Sequence, residues 1–163
     1  MGRLAGHTIM SDVKPVPDNS STLIPMLVCR DVAGAIDFCK TAFGAVELGR
    51  RPGADGGVVH ALLSIGGAMV MVHGEFPNVE SRAPYPDGSS PVVMYLYIAD
   101  VDRVMERAVA AGAKVLLPAK DQFWGDRVGR IIDPAGHVWN IATRVEETSS
   151  AQRDERWAKI VKS

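Results

Sequence analysis

Residues 24–45, IPMLVCRDVAGAIDFCKTAFGA, and residues 92–113, VVMYLYIADVDRVMERAVAAGA, follow one plan. Each begins with an apolar run, Ile24–Cys29 in the first and Val92–Ile98 in the second. Each continues with Asp-Val (Asp31-Val32, Asp100-Val101), an amphipathic stretch, and Gly-Ala (Gly44-Ala45, Gly112-Ala113). An aspartate ahead of a helix accepts the free amide donors of its first turn. A glycine behind it takes the left-handed conformation that ends the helix. Between these signals the apolar residues recur at helical spacing: Val32, Ile36, Cys39 and Phe43 in one copy, Val101, Val104, Ala108 and Ala111 in the other. The chain therefore contains one unit twice.

Three strand-like runs follow each helix. In the first copy they are Ala45–Arg50, Val58–Ile65 and Ala68–Glu75, the last two joined by Gly66-Gly67, a pair suited to a two-residue hairpin that needs positive φ at both positions. In the second they are Lys114–Leu117, Arg127–Ile132 and His137–Thr143, the last pair joined through Asp133-Pro134-Ala135-Gly136. Each copy is β-α-β-β-β, and the expected fold class is α+β: two βαβββ modules, about 23–76 and 91–145, forming a curved-sheet cleft. The opening strands are apolar at nearly every position, which predicts burial on both faces, one against a helix and one against an enclosed space. Two such sheets facing each other would enclose a cleft, the default binding site.

Around residues 23–147 lie two short extensions. Residues 1–22 are polar, contain Pro15 and Pro17, show no periodicity and read as a flexible arm, within which Met10 is a plausible second start. Residues 148–163 read as a C-terminal helix: Ser149 and Gln152 form a capping box, and Trp157, Ile160 and Val161 an apolar stripe expected to dock on the body. Proline and glycine mark Pro84–Pro91 as the linker between modules.

Composition narrows the function. The 163 residues suit one domain, which at this size buries about 70% of its unfolded surface and needs no disulfide or metal to fold. Eighteen basic against 19 acidic residues leave no excess for phosphates, so nucleic acid is not the expected partner. No apolar run reaches the roughly 18 residues of a membrane span, and Cys29 and Cys39 read as core hydrophobes. A cytoplasmic protein is expected.

The doubled unit and the stretch DPAGHVWNI (Asp133–Ile141) resemble the vicinal oxygen chelate superfamily, which includes glyoxalase I, extradiol dioxygenases, fosfomycin-resistance enzymes and bleomycin-binding proteins. DQFWGDR (Asp121–Arg127), DPAGHVWNIAT, AIDF and AFGA look like its PhnB-like branch. The resemblance implies a homodimer. It also implies four positions where metal-using members place His, Gln or Glu, which fall here on Ile24, Val93, Met71 (or Val70) and Asn140. Ile and Val have no lone pair, a thioether suits soft ions only, and one amide cannot hold a hard cation. No metal and no other cofactor is expected.

The remaining cleft can be read from strand alternation. A two-residue turn pairs Leu62 with Met71 and His60 with His73, all four on the cleft face. A four-residue turn in the second copy pairs Gly129 with Asn140 and Arg127 with Ala142, which puts Arg127 beside Asn140, Tyr95 and Tyr97. Trp124, in the loop ahead of Arg127, reads as a stacking wall, and Arg127 as the partner of a ligand carboxylate or carbonyl. The ligand-binding candidates are His60, Leu62, Met71, His73, Tyr95, Tyr97, Trp124, Arg127 and Asn140. The expected function is metal-independent binding of an aromatic or amphipathic small molecule. The alternative is a metal-dependent lyase, isomerase or dioxygenase-like enzyme using His60, His73 and Glu75.

Overall fold

A computed structural model describes residues 13–76, 78, 80–85 and 90–162. Most of the expected arm (residues 1–12) and the middle of the linker (86–89) lie outside them. The first module runs β1 (Met26–Cys29), α1 (Val32–Phe43), β2 (Val46–Pro52), β3 (Val58–Ile65) and β4 (Ala68–Gly74). The second runs β5 (Val93–Tyr97), α2 (Val101–Ala110), β6 (Lys114–Asp121), β7 (Asp126–Ile132) and β8 (Val138–Arg144), and α3 (Ser150–Ile160) follows. Each module is one four-stranded sheet, in the order β1-β4-β3-β2 or β5-β8-β7-β6, with the opening strand parallel to the last and the other pairings antiparallel. The fold class is α+β with two repeated modules, as the repeat implies.

The helix signals act as read. Asp31 accepts the Gly34 amide at 2.9 Å and Asp100 the Arg103 amide at 3.1 Å. Gly44 caps α1 in the left-handed region, φ 68°, whereas α2 ends on Ala111 and Gly112 takes the positive φ one residue later. The stripe residues Val32, Ile36, Cys39, Phe43, Val101, Val104 and Ala108 are all buried. They pack against one face of each sheet, Leu63 and Val72 in the first and Ile131 and Ile141 in the second. Each such side chain contributes about 1.5–3 kcal/mol. Gly129 has no side chain because Met105 of α2 lies directly over it.

One core joins the modules. The helices pack on each other, the Phe43 and Trp139 rings lie 4.8 Å apart, and the Arg107 guanidinium donates to the Ala42 carbonyl at 3.0 Å. Among the described elements, no strand of one sheet touches a strand of the other. Within one chain the two sheets are thus joined neither by strand pairing nor by close packing. Their second faces lie open: Met26, Val93, Tyr95 and Tyr97, expected to be enclosed, are all exposed. The opening strands are apolar on both sides, but one chain covers only the side toward the helices.

The C-terminal helix also departs from expectation. Its capping box forms, with Gln152 N–H on Ser149 Oγ at 3.2 Å and Ser149 N–H on Gln152 Oε1 at 2.8 Å. None of its residues is buried, and Trp157 is 52% exposed, so the stripe meets the body through a partial contact and not through a buried face. The Trp157 ring lies against that of Phe123, at 5.4 Å, in the loop between β6 and β7.

Candidate functional site

On the open face of the first sheet the hairpin register is the expected one. Ile65 pairs with Ala68, Leu62 with Met71, and His60 with His73, while β1 sets Met26 beside Met71 and Val28 beside His73. Both turn glycines have positive φ, 56° and 87°, the conformation the Gly-Gly hairpin requires. His60, Leu62, Met71 and His73 therefore share one surface. His73 is buried beneath Phe76, whose ring stacks on it at 5.2 Å, and among the described residues its Nε2 has no hydrogen-bond partner. Burial pushes its pKa below the usual histidine value, and His60 opposite pushes it further down. Glu75 does not join the histidines: its Oε1 accepts the Ala83 N–H at 3.0 Å and faces Arg30 at 4.0 Å.

The depressed His73 pKa has a sign that can be tested. Histidine in an open chain titrates near 6.5. The folded chain holds this proton less tightly than the unfolded chain. Stability is therefore complete above about pH 6.5 and lost as pH falls from there through the folded value. The urea midpoint of the wild type should drop between about pH 8 and about pH 5.5, and His73→Gln should shrink that drop. An equal drop in both proteins would show that His73 is not its source.

The second sheet corrects the expected register by one residue. Asn140 pairs with Arg130, Gly129 with Ile141, and Arg127 with Thr143. The cause is Gly136, which at φ 94° completes the Asp133–Gly136 turn (Gly136 N–H to Asp133 O, 3.0 Å) and lets Asp133 N–H bond to His137 O at 2.9 Å. The closing strand pair is then Ile132 with Val138. A left-handed glycine after a tight turn adds one residue to the loop, and one residue exchanges the two faces of a strand. The sequence reading missed this signal in the DPAG turn.

The slip changes the chemistry of the face. Arg127 turns toward the helix side, where Nε meets Asp102 at 2.8 Å and a terminal nitrogen meets Asp121 at 3.1 Å, so it is not the anion-reading group expected there. Its neighbours Asp126 and Arg130, both missed in the sequence, take the open face. Arg130 Nε donates to Asn140 Oδ1 at 2.7 Å, beside Tyr95 on the next strand. Asp126, 3% exposed, accepts at a single oxygen from Tyr97 Oη (2.7 Å), Trp124 Nε1 (2.9 Å) and Tyr95 Oη (3.1 Å). Burial first, then Asp126, pushes the Tyr95 phenol up to about 12, and the hydrogen bond to Asp126 raises that of Tyr97.

The four metal positions can now be tested for fit. Met71 stands beside Met26 and Asn140 beside Tyr95, each one ladder step beyond the level of Ile24 and Val93. No imidazole or carboxylate is present at any of them, and among the described residues no three His, Cys, Asp or Glu converge as a metal site. The donor set does not fit a divalent ion. Cys29 and Cys39 are buried thiols whose pKa burial pushes up to about 12, which keeps them unreactive.

A cavity of about 770 Å³ opens at the seam between the modules, lined by Met26, Arg30, Glu75, Arg82, Met94 and His137 among others. It contains none of the nine ligand-binding candidates, and of the residues of the enzymatic alternative it contains Glu75. Arg30 is held by the Pro84 carbonyl (2.9 Å) and Glu75 by Ala83. The His137 ring reaches the Val28 carbonyl of the other module at 2.9 Å. These polar groups tie the modules and their linker together.

A family model described as the Glyoxalase/Bleomycin resistance protein/Dioxygenase superfamily matches residues 23–141. The chain is 43% identical over 147 residues to the uncharacterised protein Rv0887c of Mycobacterium tuberculosis (strain ATCC 25618 / H37Rv), an alignment covering 88% of this chain and 83% of that one. Among solved structures it is similar to TioX from Micromonospora sp. ML1, with 31% identity, a TM-score of 0.62, and coverage of 77% of this chain and 100% of the other. The fosfomycin resistance protein FosX of Listeria monocytogenes, solved with Mn(II) and sulfate, shares the fold at 16% identity and a TM-score of 0.60, over 85% of this chain and 98% of that one.

Proposed function

Since the chain belongs to the glyoxalase/bleomycin resistance protein/dioxygenase superfamily, we propose that it binds a small aromatic or amphipathic molecule without a metal, in a cleft built by two copies. The observation that carries this reading is the pairing of a site unfit for a divalent ion with two open, apolar sheet faces. Exposed aromatic and aliphatic side chains on one contiguous face mark a binding surface. Here they are Met26 in the first module and Val93, Tyr95 and Tyr97 in the second. The helix side of both sheets is already used in joining the modules, so these faces are free for a partner. Opposing the first sheet of one copy to the second sheet of another would enclose His60, Leu62, Met71 and His73 on one wall. Tyr95, Tyr97, Trp124 and Asn140 would form the other.

The DQFWGDR and DPAGHVWNIAT stretches support the PhnB-like branch. A cytoplasmic location accords with two unpaired cysteines, and no described helix is long and apolar enough to cross a membrane. One observation favours the enzymatic alternative: His73 Nε2 has no partner among the described residues and His60 stands across from it. Against it, Glu75 is engaged with the linker, and two imidazoles alone make a weak metal site.

Native mass spectrometry with elemental analysis, on protein purified without chelator or a metal column, decides between them. A dimer without stoichiometric Zn, Ni, Mn or Fe is the expected result. One equivalent of such an ion per chain would overturn the metal-free reading and put His60 and His73 first among its ligands.

A further inference from the structure

We propose that the bound molecule carries an organic cation, a protonated amine or a quaternary ammonium, drawn by the buried charge of Asp126 onto the rings of Tyr95, Tyr97 and Trp124 that cover it. This rests on the binding reading above and names the chemical class of its ligand.

Three observations lead to it. The first is a buried carboxylate on a ligand-facing surface without a basic partner. All three donors to Asp126 Oδ2 are neutral, and among the described residues no Lys, Arg or His lies within ion-pair distance. Arg127, next in the chain, is turned away to Asp102 and Asp121. Arg144, its cross-strand neighbour, is paired with Glu147 at 3.2 Å. Arg130 is four residues along the strand, about 14 Å away at some 3.4 Å per residue, and is bonded to Asn140. Neutral donors stabilise a carboxylate without cancelling its charge, and a charge withdrawn from water favours a cation brought to it.

The second observation is the arrangement of rings around that charge. Tyr95 and Tyr97 lie 5.2 Å apart at 48°, and Trp124 is held edge-on by Phe123 at 5.0 Å and 87°. Their polar edges all point to one oxygen, so the rings stand around the carboxylate. Faces of Tyr and Trp attract cations, most strongly those that are weakly hydrated. Both tyrosines remain exposed, so a ligand can reach them.

The third observation excludes other occupants. A hard metal ion needs several oxygen ligands, and one oxygen of this carboxylate is already taken by three donors. An anion would meet the buried charge directly. An organic cation needs one charge and a ring lining, and the site supplies both.

The test uses two probes of one shape, para-hydroxyphenyltrimethylammonium and para-tert-butylphenol, which differ by a charged nitrogen in place of a carbon. Each is titrated into the full chain at slightly acidic pH and followed at the Trp124 indole N–H resonance. That resonance is assigned by its loss in Trp124→Phe. The cation is expected to bind about tenfold more tightly than its neutral twin. Asp126→Asn, which keeps an acceptor for the three donors, should erase that preference. Equal affinity of the two probes for the wild type would overturn the cation site while leaving small-molecule binding intact. If neither probe perturbs Trp124, both readings fall. The wild-type comparison needs no variant, so a misfolded Asp126→Asn chain does not rescue the proposal.

Discussion

Asp133→Ala is expected to lower unfolding free energy by about 3–5 kcal/mol, read as a fall in the urea midpoint at unchanged slope. Asp133 is 7% exposed and serves three donors. Its Oδ1 accepts Ala135 N–H and His137 N–H, each at 2.9 Å, and its Oδ2 accepts the Trp139 indole N–H at 2.8 Å. Alanine would strand these donors, each at a cost of about 1–3 kcal/mol less what relaxation and water recover. Trp139 packs on Phe43 of the first module, and His137 reaches Val28, so the damage would reach the junction between modules. Asp133→Asn, which keeps one acceptor oxygen, should fall between wild type and alanine. An alanine variant within about 1 kcal/mol of wild type would show that the turn satisfies its donors some other way.

Gly125→Ala should cost about 2–4 kcal/mol and abolish binding at Trp124. Gly125 has φ 99°, where an L side chain is strained. Its added Cβ would also run into the Glu146 carbonyl oxygen and lie 3.2 Å from Thr148 Cγ2. The obstacle is backbone: Val145 and Glu146 both donate to the Gly125 carbonyl at 2.9 Å, fixing the loop against the strand that leaves the sheet. To relieve the clash the loop must lift and take Trp124 off Asp126. Thermal unfolding and the probe titration would both register the change. A variant with wild-type stability and probe affinity would mean that the loop does not need this backbone shape.

The repeat made much of the fold legible, because its signals are local. Asp31, Asp100 and Gly44 act through groups within a few residues, and Gly66-Gly67 determines a register from the turn alone. The register carrying the more consequential part of the site was not legible, for the same local reason. Gly136 adds one residue to a turn, and alternation then replaces Arg127 on the open face by Asp126 and Arg130, with a carboxylate where a guanidinium was expected beside the tyrosines. The enclosure expected of Ile24–Cys29 and Val92–Ile98 failed for a different reason. Apolar residues on both sides of a strand show that both sides can be covered, but not that one chain covers both. Likewise the stripe of Trp157, Ile160 and Val161 showed a helix with an apolar side, and nothing within α3 specified its contact.

That contact gives the C-terminal helix a mechanical meaning. Among the described residues, helix α3 packs against no other helix or strand. It is tied instead to the Trp124 loop: Arg156 donates to the Phe123 carbonyl at 3.0 Å and Trp157 leans on Phe123, while Thr148, just ahead of the helix, donates Oγ1 to the Trp124 carbonyl at 2.8 Å. Loop and helix are thus coupled as a lever, and free energy that orders one end is felt equally at the other. A molecule gripping Trp124 should slow hydrogen exchange along α3, a helix it never touches. A chain cut before Ser149 would keep the Thr148 bond but lose the contacts of Arg156 and Trp157 to Phe123, and its affinity would fall without the loss of a single ligand contact.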